Sequence, residues 1–297
     1  MTFILLCAGA LVTGTGSGLA VPDWPLSFGG FFPPMVGGVF FEHGHRLIAG
    51  LVALLTVGLS LLLFRLDTRK WVQMLGVAAV SAILLQAFLG GMTVLFRLPR
   101  AVSIAHACLA QLFFSLTVVI SVVTSRSWSR SVLGDRNGKR SLLVTFLSLA
   151  TFCAFFIQLI LGATLRHHGA GLAIPDFPTV FGGLLPPVFD FKIAIHFAHR
   201  LGALTVILLT AVLSILIYHR HPASLNIIIW VGLLVATVIV QFMLGAMVIL
   251  LRRPLPVTTA HLAFGALCLA WSVVIVLETF RYRQIEPEPS FQEGSKS

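Results

Sequence analysis

Apolar residues run almost unbroken through eight stretches of this chain, at about 1–14, 41–64, 71–96, 101–124, 141–165, 192–218, 224–251 and 255–280, and polar residues gather between them. Most of these runs reach the roughly 20 residues that an α-helix needs to cross a bilayer. They predict an all-α integral membrane protein with eight transmembrane helices. The first run is short. Set against the later sequence it is the last part of a helix whose counterpart starts near Ser141, so either the start is misassigned or the helix is unusually short.

The polar punctuation repeats. Gly18-Leu19-Ala20-Val21-Pro22-Asp23-Trp24-Pro25 returns as Gly171-Leu172-Ala173-Ile174-Pro175-Asp176-Phe177-Pro178, and Phe28-Gly29-Gly30 as Phe181-Gly182-Gly183. His45-Arg46-Leu47 becomes His199-Arg200-Leu201, while Gln86, Gly90, Met92, Pro99 and His106 return as Gln241, Gly245, Met247, Pro254 and His261. Such self-similarity marks a duplication. Four helices per copy give both copies the same orientation, as tandem four-helix bundles related by a pseudo-two-fold axis along the membrane normal. The expected parts are an N-terminal bundle at 1–124, a cytoplasmic linker at 125–140, a C-terminal bundle at 141–280 and a cytoplasmic tail at 281–297. Segments 15–40 and 166–191, rich in Gly and Pro but carrying Trp24 or Phe177, are long outer loops expected to fold back over the helix ends.

Composition agrees with a membrane setting: the 297 residues are 58% hydrophobic and 10% charged, with a mean hydropathy of +1.00. The net charge of +10 does not point to nucleic acid, because the basic residues sit in connections between apolar runs. Arg65, Arg69, Lys70, Arg126, Arg130, Arg136, Lys139, Arg140, Arg220, Arg281, Arg283 and Lys296 fall on one side. Arg97, Arg100, Arg166, Lys192, Arg252 and Arg253 fall on the other. The excess places both termini in the cytoplasm and the protein in the cell membrane, surrounded by lipid. Cys7, Cys108, Cys153 and Cys268 all lie in apolar runs and read as buried structural residues.

Ionisable residues inside a span are costly and mark function. His45 and His106 lie at similar depths below the outer ends of neighbouring helices, as do His199 and His261. Two level imidazoles in a four-helix bundle are the arrangement of a bis-histidine haem, with glycines such as Gly50, Gly90 and Gly245 leaving room for the macrocycle. Zinc or copper would want three or four converging ligands. The copies differ three residues before the first histidine of each pair, where Glu42 stands in one and His196 in the other. That spacing stacks each pair on one helix face. It makes Glu42 the one carboxylate near an intramembrane site and a candidate base or water-orienting group, with pairing to Arg46 as the alternative. His43 points to the other side of the helix, at the interface. His167, His168, His219 and His221 are expected to face solvent. Arg97, Arg100, Arg252 and Arg253 are candidate contacts for haem propionates, with interfacial anchoring the other reading.

The Glu42-x-x-His45-Arg46 motif, the preceding Gly16–Pro25 segment and the duplicated four-helix pattern together resemble the haem A synthase family, over about residues 9–280. The resemblance implies oxidation of the C8 methyl of haem O to a formyl group, giving haem A for cytochrome oxidase. It implies haem O as substrate at His45 and His106, haem b as cofactor at His199 and His261, and a mechanistic role for Glu42. An electron acceptor, a haem O synthase and a homo-oligomer are the partners to consider. Many bacterial members carry a cysteine pair in the first outer loop; this loop has none, so a thiol step is not expected. The competing readings are a di-haem b electron-transfer subunit, which leaves Glu42 without purpose, and a haem or small-solute transporter, which should show broken helices near the midplane.

Overall fold

The computed structural model describes residues 1–126, 128, 142–220 and 225–283. Within them the chain forms eight α-helices: α1 Thr2–Gly14, α2 Gly38–Leu66, α3 Lys70–Leu95, α4 Arg100–Val123, α5 Leu142–His167, α6 Phe191–Arg220, α7 Leu225–Leu250 and α8 Leu255–Arg283. Each lies within a few residues of the apolar run that predicts it, because the run and the helix are ended by the same Gly, Pro and charged residues. Seven helices are long and apolar enough to span a bilayer, and α1 is a shorter apolar helix. Most of the 125–140 linker, His221 and the tail beyond Arg283 lie outside the described residues.

Contacts follow the duplication. Helices α1 to α4 touch in sequence, α1 also touches α4, and α5 to α8 close the same way through α5 against α8. The halves meet through α1 on α8, α4 on α5, and α4 on α8. Buried apolar residues collect inside each half, around Val52, Val72, Phe113 and Ile120 in one and Leu213, Ile227, Leu234 and Ile275 in the other. A third cluster, with Leu6, Phe114, Ala266 and Ala270, seals the seam between them. Outward positions such as Leu54, Leu84, Phe146 and Leu208 are exposed, as expected where lipid rather than water surrounds the helices.

The cysteines depart from expectation: Cys268 is buried, Cys7 and Cys108 are half-buried and Cys153 is exposed, all four as free thiols. An apolar run on a membrane helix has a lipid face as well as a core face, so membership of the run does not imply burial.

The α3–α4 and α7–α8 connections are tight. Leu98 N–H bonds to Thr93 and Arg253 N–H to Val248, closing each helix end. Arg97 and Leu98, and their counterparts Arg252 and Arg253, all adopt positive φ (55°, 60°, 55° and 65°). Non-glycine residues in this left-handed region cost roughly 1–2 kcal/mol each, so the turn fixes these side chains at the helix ends by design rather than by preference.

Candidate haem-binding site

The two long loops rich in Gly and Pro are built to one plan. Asp23 accepts hydrogen bonds from Phe28 N–H and Gly29 N–H, both at 2.8 Å. Asp176 accepts from Phe181 N–H and Gly182 N–H at 2.8 Å and from the Thr179 hydroxyl at 2.6 Å. These bonds hold both carboxyls below the ordinary aspartate range: the backbone amides of Gly29 and Phe28 act on Asp23, and Gly182 N–H followed by the Thr179 hydroxyl on Asp176. The arginine of each His-Arg pair reaches up from its helix to the loop carbonyls. Arg46 donates to Val21, Asp23 and Leu26, and Arg200 to Ile174, Asp176 and Thr179. The loops therefore fold back, as their composition predicts. Trp24 lies so close over Gly91 of α3 that a Cβ there would meet its ring at 2.8–3.0 Å, and Phe177 meets Phe242 of α7 at 5.8 Å.

Beneath the loops stand the four histidines, each six to eight residues past the first residue of its helix. At ~1.5 Å per residue they lie about 9–12 Å along their helices. Each ring rests on a glycine of the preceding helix: His45 on Gly9, His106 on Gly90, His199 on Gly162 and His261 on Gly245. A Cβ at these glycines would stand 3.1, 3.3, 3.1 and 3.2 Å from the ring Cε1. One turn before each glycine is a backbone carbonyl, of Leu5, Gln86, Gln158 or Gln241, within reach of the ring. The contact stops short of a well-formed hydrogen bond, so all four Nδ1 atoms are buried without a partner. A ring whose hydrogen is on Nδ1 presents Nε2 as a metal ligand. Gly90 and Gly245 thus seat the imidazoles rather than opening space for a macrocycle, while Gly50 faces open space.

The rings of the second pair also approach each other. The ring centroids of His199 and His261 are 6.5 Å apart. Two metal–nitrogen bonds of about 2.0–2.1 Å, plus half an imidazole on each side, give a separation on the order of 6 Å. His45 and His106 lie within electrostatic reach of one another. Among the described residues no three His, Cys, Asp or Glu gather round one point, so these histidines stand as pairs. Two imidazoles of this spacing and seating fit the axial ligand set of a haem.

Glu42 is buried at 4% exposure, but its carboxylate does not turn toward His45. It accepts from Val21 N–H at 2.8 Å and pairs with Arg46 at 2.6 Å. His196 takes the same loop contact in the second half, where Ile174 N–H donates to its Nδ1 at 3.2 Å. The two residues share a mechanical task, clamping the loop, and differ in charge.

Several expectations are corrected. His43 is buried at 5% exposure, with Nδ1 2.8 Å from the Ser27 hydroxyl and Nε2 without a partner. Its counterpart is Phe197 and that of Ser27 is Val180, so this polar contact belongs to the first half alone; the substitution between copies was the signal that could have found it. His167 and His168 are half-buried, the latter bonded to the Thr164 carbonyl and stacked at 4.8 Å on Phe191, because α5 continues to His167 instead of opening into a loop. His219 is exposed. Glu278, near the C-terminal end of α8, is a second buried carboxylate, remote from the paired histidines. Arg97, Arg100, Arg252 and Arg253 are exposed at the starts of α4 and α8 and pair with no carboxylate among the described residues.

Seating the rings on glycine has a measurable consequence. In Gly245→Ala the methyl must displace the His261 ring by a few tenths of an ångström. Haem held by that histidine should bind about 10–100-fold more weakly, the range for disturbed support of a ligand. Gly58→Ala, which faces open space, should leave haem content unchanged; haem-to-protein ratios of the purified variants check both.

Fold and site together define a multi-pass helical membrane protein with two pairs of glycine-seated imidazoles under duplicated loops. The chain belongs to the cytochrome oxidase assembly protein family COX15-CtaA, whose family model matches residues 35–273. It is similar to proteins named "Heme A synthase" from Shouchella clausii, 30% identical over 83% of this chain and 82% of that one, and from Bacillus pumilus, 27% identical over 96% and 94%. A third so named, from Alkalihalophilus pseudofirmus, is 26% identical over 87% and 86%.

Proposed function

We propose that this chain is a haem A synthase, an oxidoreductase of the cell membrane that converts the C8 methyl of haem O to a formyl group by successive hydroxylation, for cytochrome oxidase assembly. The observation that carries the reading is the set of four imidazoles, each seated on a glycine at equivalent positions of the two halves, in a chain of this family. His45 and His106 hold the substrate, haem O; His199 and His261 hold haem b, which supplies electron transfer when bound. Turning a methyl group into an aldehyde requires oxygen to enter and electrons and protons to leave. Glu42 serves that need: Arg46 and the Val21 amide fix its orientation, so it can take a proton or align a water at the first pair. The first loop, with Trp24 packed on Gly91, covers this site and limits entry of bulk water. Arg97, Arg100, Arg252 and Arg253 stand where propionates would reach the polar edge.

The halves, 1–124 for substrate and 141–280 for haem b, are related by a pseudo-two-fold axis along the membrane normal. In support, exchanging the halves turns the α1–α8 contact into α5–α4 and returns α4–α8 to itself. The excess of Lys and Arg on one side supports cytoplasmic termini. Lipid surrounds the protein; a haem O synthase and an electron acceptor are the partners the reaction calls for, and a homo-oligomer is compatible with it. The long helices run unbroken, which weighs against a transporter. Pigments extracted from the purified chain and identified by mass should include haem b together with haem O or haem A. Haem b alone would instead favour a di-haem electron-transfer subunit.

A further inference from the structure

The end of α5 lies at the seam between the halves and carries features the duplication does not explain. Arg166 reaches across to α1 and donates to the Ala10 carbonyl at 2.8 Å, the only hydrogen bond of its side chain among the described residues. A guanidinium has five N–H donors, so most of its capacity is unused. Its side chain lies against Gly14, beside Leu255 at the start of α8. Arg253 comes to the same place from the α7–α8 turn, held by its left-handed backbone and packed with its Cδ and Nε against Gly171. The two cations repel each other, and His261 lies within the electrostatic reach of Arg166. Among the described residues the ion pairs are Glu42–Arg46 and Asp67–Arg69; neither involves this corner. The positions equivalent to Arg166 and Arg253 in the first half are Thr13 and Leu98, so this pair of cations has no equivalent there.

Two neighbouring guanidiniums, one of them half-buried, with no protein counter-charge are stabilised by an anion of fixed geometry, and a guanidinium fork fits a carboxylate or phosphate best. We propose that Arg166 and Arg253 form a binding site for an anionic oxygen ligand at the seam between the halves, beside the His199–His261 pair. The proposal rests on the haem reading of that pair. The chemistry could come from a propionate of the haem held there or from the headgroup of an anionic lipid at the outer surface. In either case the anion ties α1, α5 and the α7–α8 turn together, so occupancy of the second pocket and packing of the halves are coupled.

The test uses the full-length chain with His45 and His106 replaced by alanine, so that only the second pair loads. It is titrated with haem b and with haem b dimethyl ester, which lacks propionate charge. Haem b should bind roughly tenfold or more tighter than the ester, the scale of one charge-assisted hydrogen bond. That preference should vanish in Arg166→Gln and Arg253→Gln and persist in part in Arg166→Lys. Should haem b and ester bind equally, thermal unfolding in nanodiscs decides the source. Stabilisation by phosphatidylglycerol over phosphatidylcholine that is lost in Arg166→Gln places a lipid in the site. A preference for haem b that survives Arg166→Gln, or equal binding with no lipid effect, overturns the proposal. Failure of this background to load any haem would strike at the reading of the His199–His261 pair and not at the anion site.

Discussion

Glu42→Ala and Glu42→His should both keep their haem and both lose conversion of haem O to haem A, by at least about 100-fold, the low end of what a positioned acid or base contributes. The histidine variant is the informative one. It copies the second half, where His196 accepts the loop amide of Ile174, so the clamp on the first loop survives while the carboxylate is gone. Arg46 loses its ion-pair partner in either variant but keeps three loop carbonyls as acceptors, which limits the cost of leaving its charge behind. The measurement is the ratio of haem A to haem O extracted from cells expressing each variant, beside the haem content of the purified protein. Normal haem A output from Glu42→His would reduce Glu42 to a latch and end its assignment to the chemistry.

The helices were legible because each is a long apolar run between strong breakers, and their pairing was legible because the chain repeats. The paired histidines followed from the same repeat. What stayed hidden depends on direction rather than position. Spacing places Glu42 and His45 on one face of α2, yet the carboxylate turns to Arg46 and Val21, since the loop offers it an amide and a guanidinium. Gly90 and Gly245 were visible as small residues near a histidine, but only packing shows that they seat the ring. Gly9 and Gly162 do the same on α1 and α5, where nothing in the local sequence signals a partner. Arg166 was counted as one outer basic residue among six; its reach to Ala10 crosses 156 positions of the chain, a distance no local pattern spans.

Loss of one ligand from each pair should separate the two pockets. His261→Ala removes one of two facing imidazoles and leaves His199 alone over its glycine. The effect on haem bound there should exceed the 10–100-fold typical of a disturbed second shell, and the purified protein should carry haem O with little haem b. Without haem b to supply electron transfer beside the substrate, haem A formation should stop while the substrate pocket still fills. His106→Ala should give the opposite pigments, haem b retained and haem O absent, because Gly245, Gly162 and their imidazoles belong to the other half. Mass identification of the extracted haems reads both variants in one experiment. If each variant lost both pigments equally, or if His261→Ala kept haem b in full, the division of the histidines into a substrate pair and a haem b pair would fall. The loops sharpen the comparison, since Glu42, Arg46 and Arg200 are untouched in both variants and neither outer cap is disturbed.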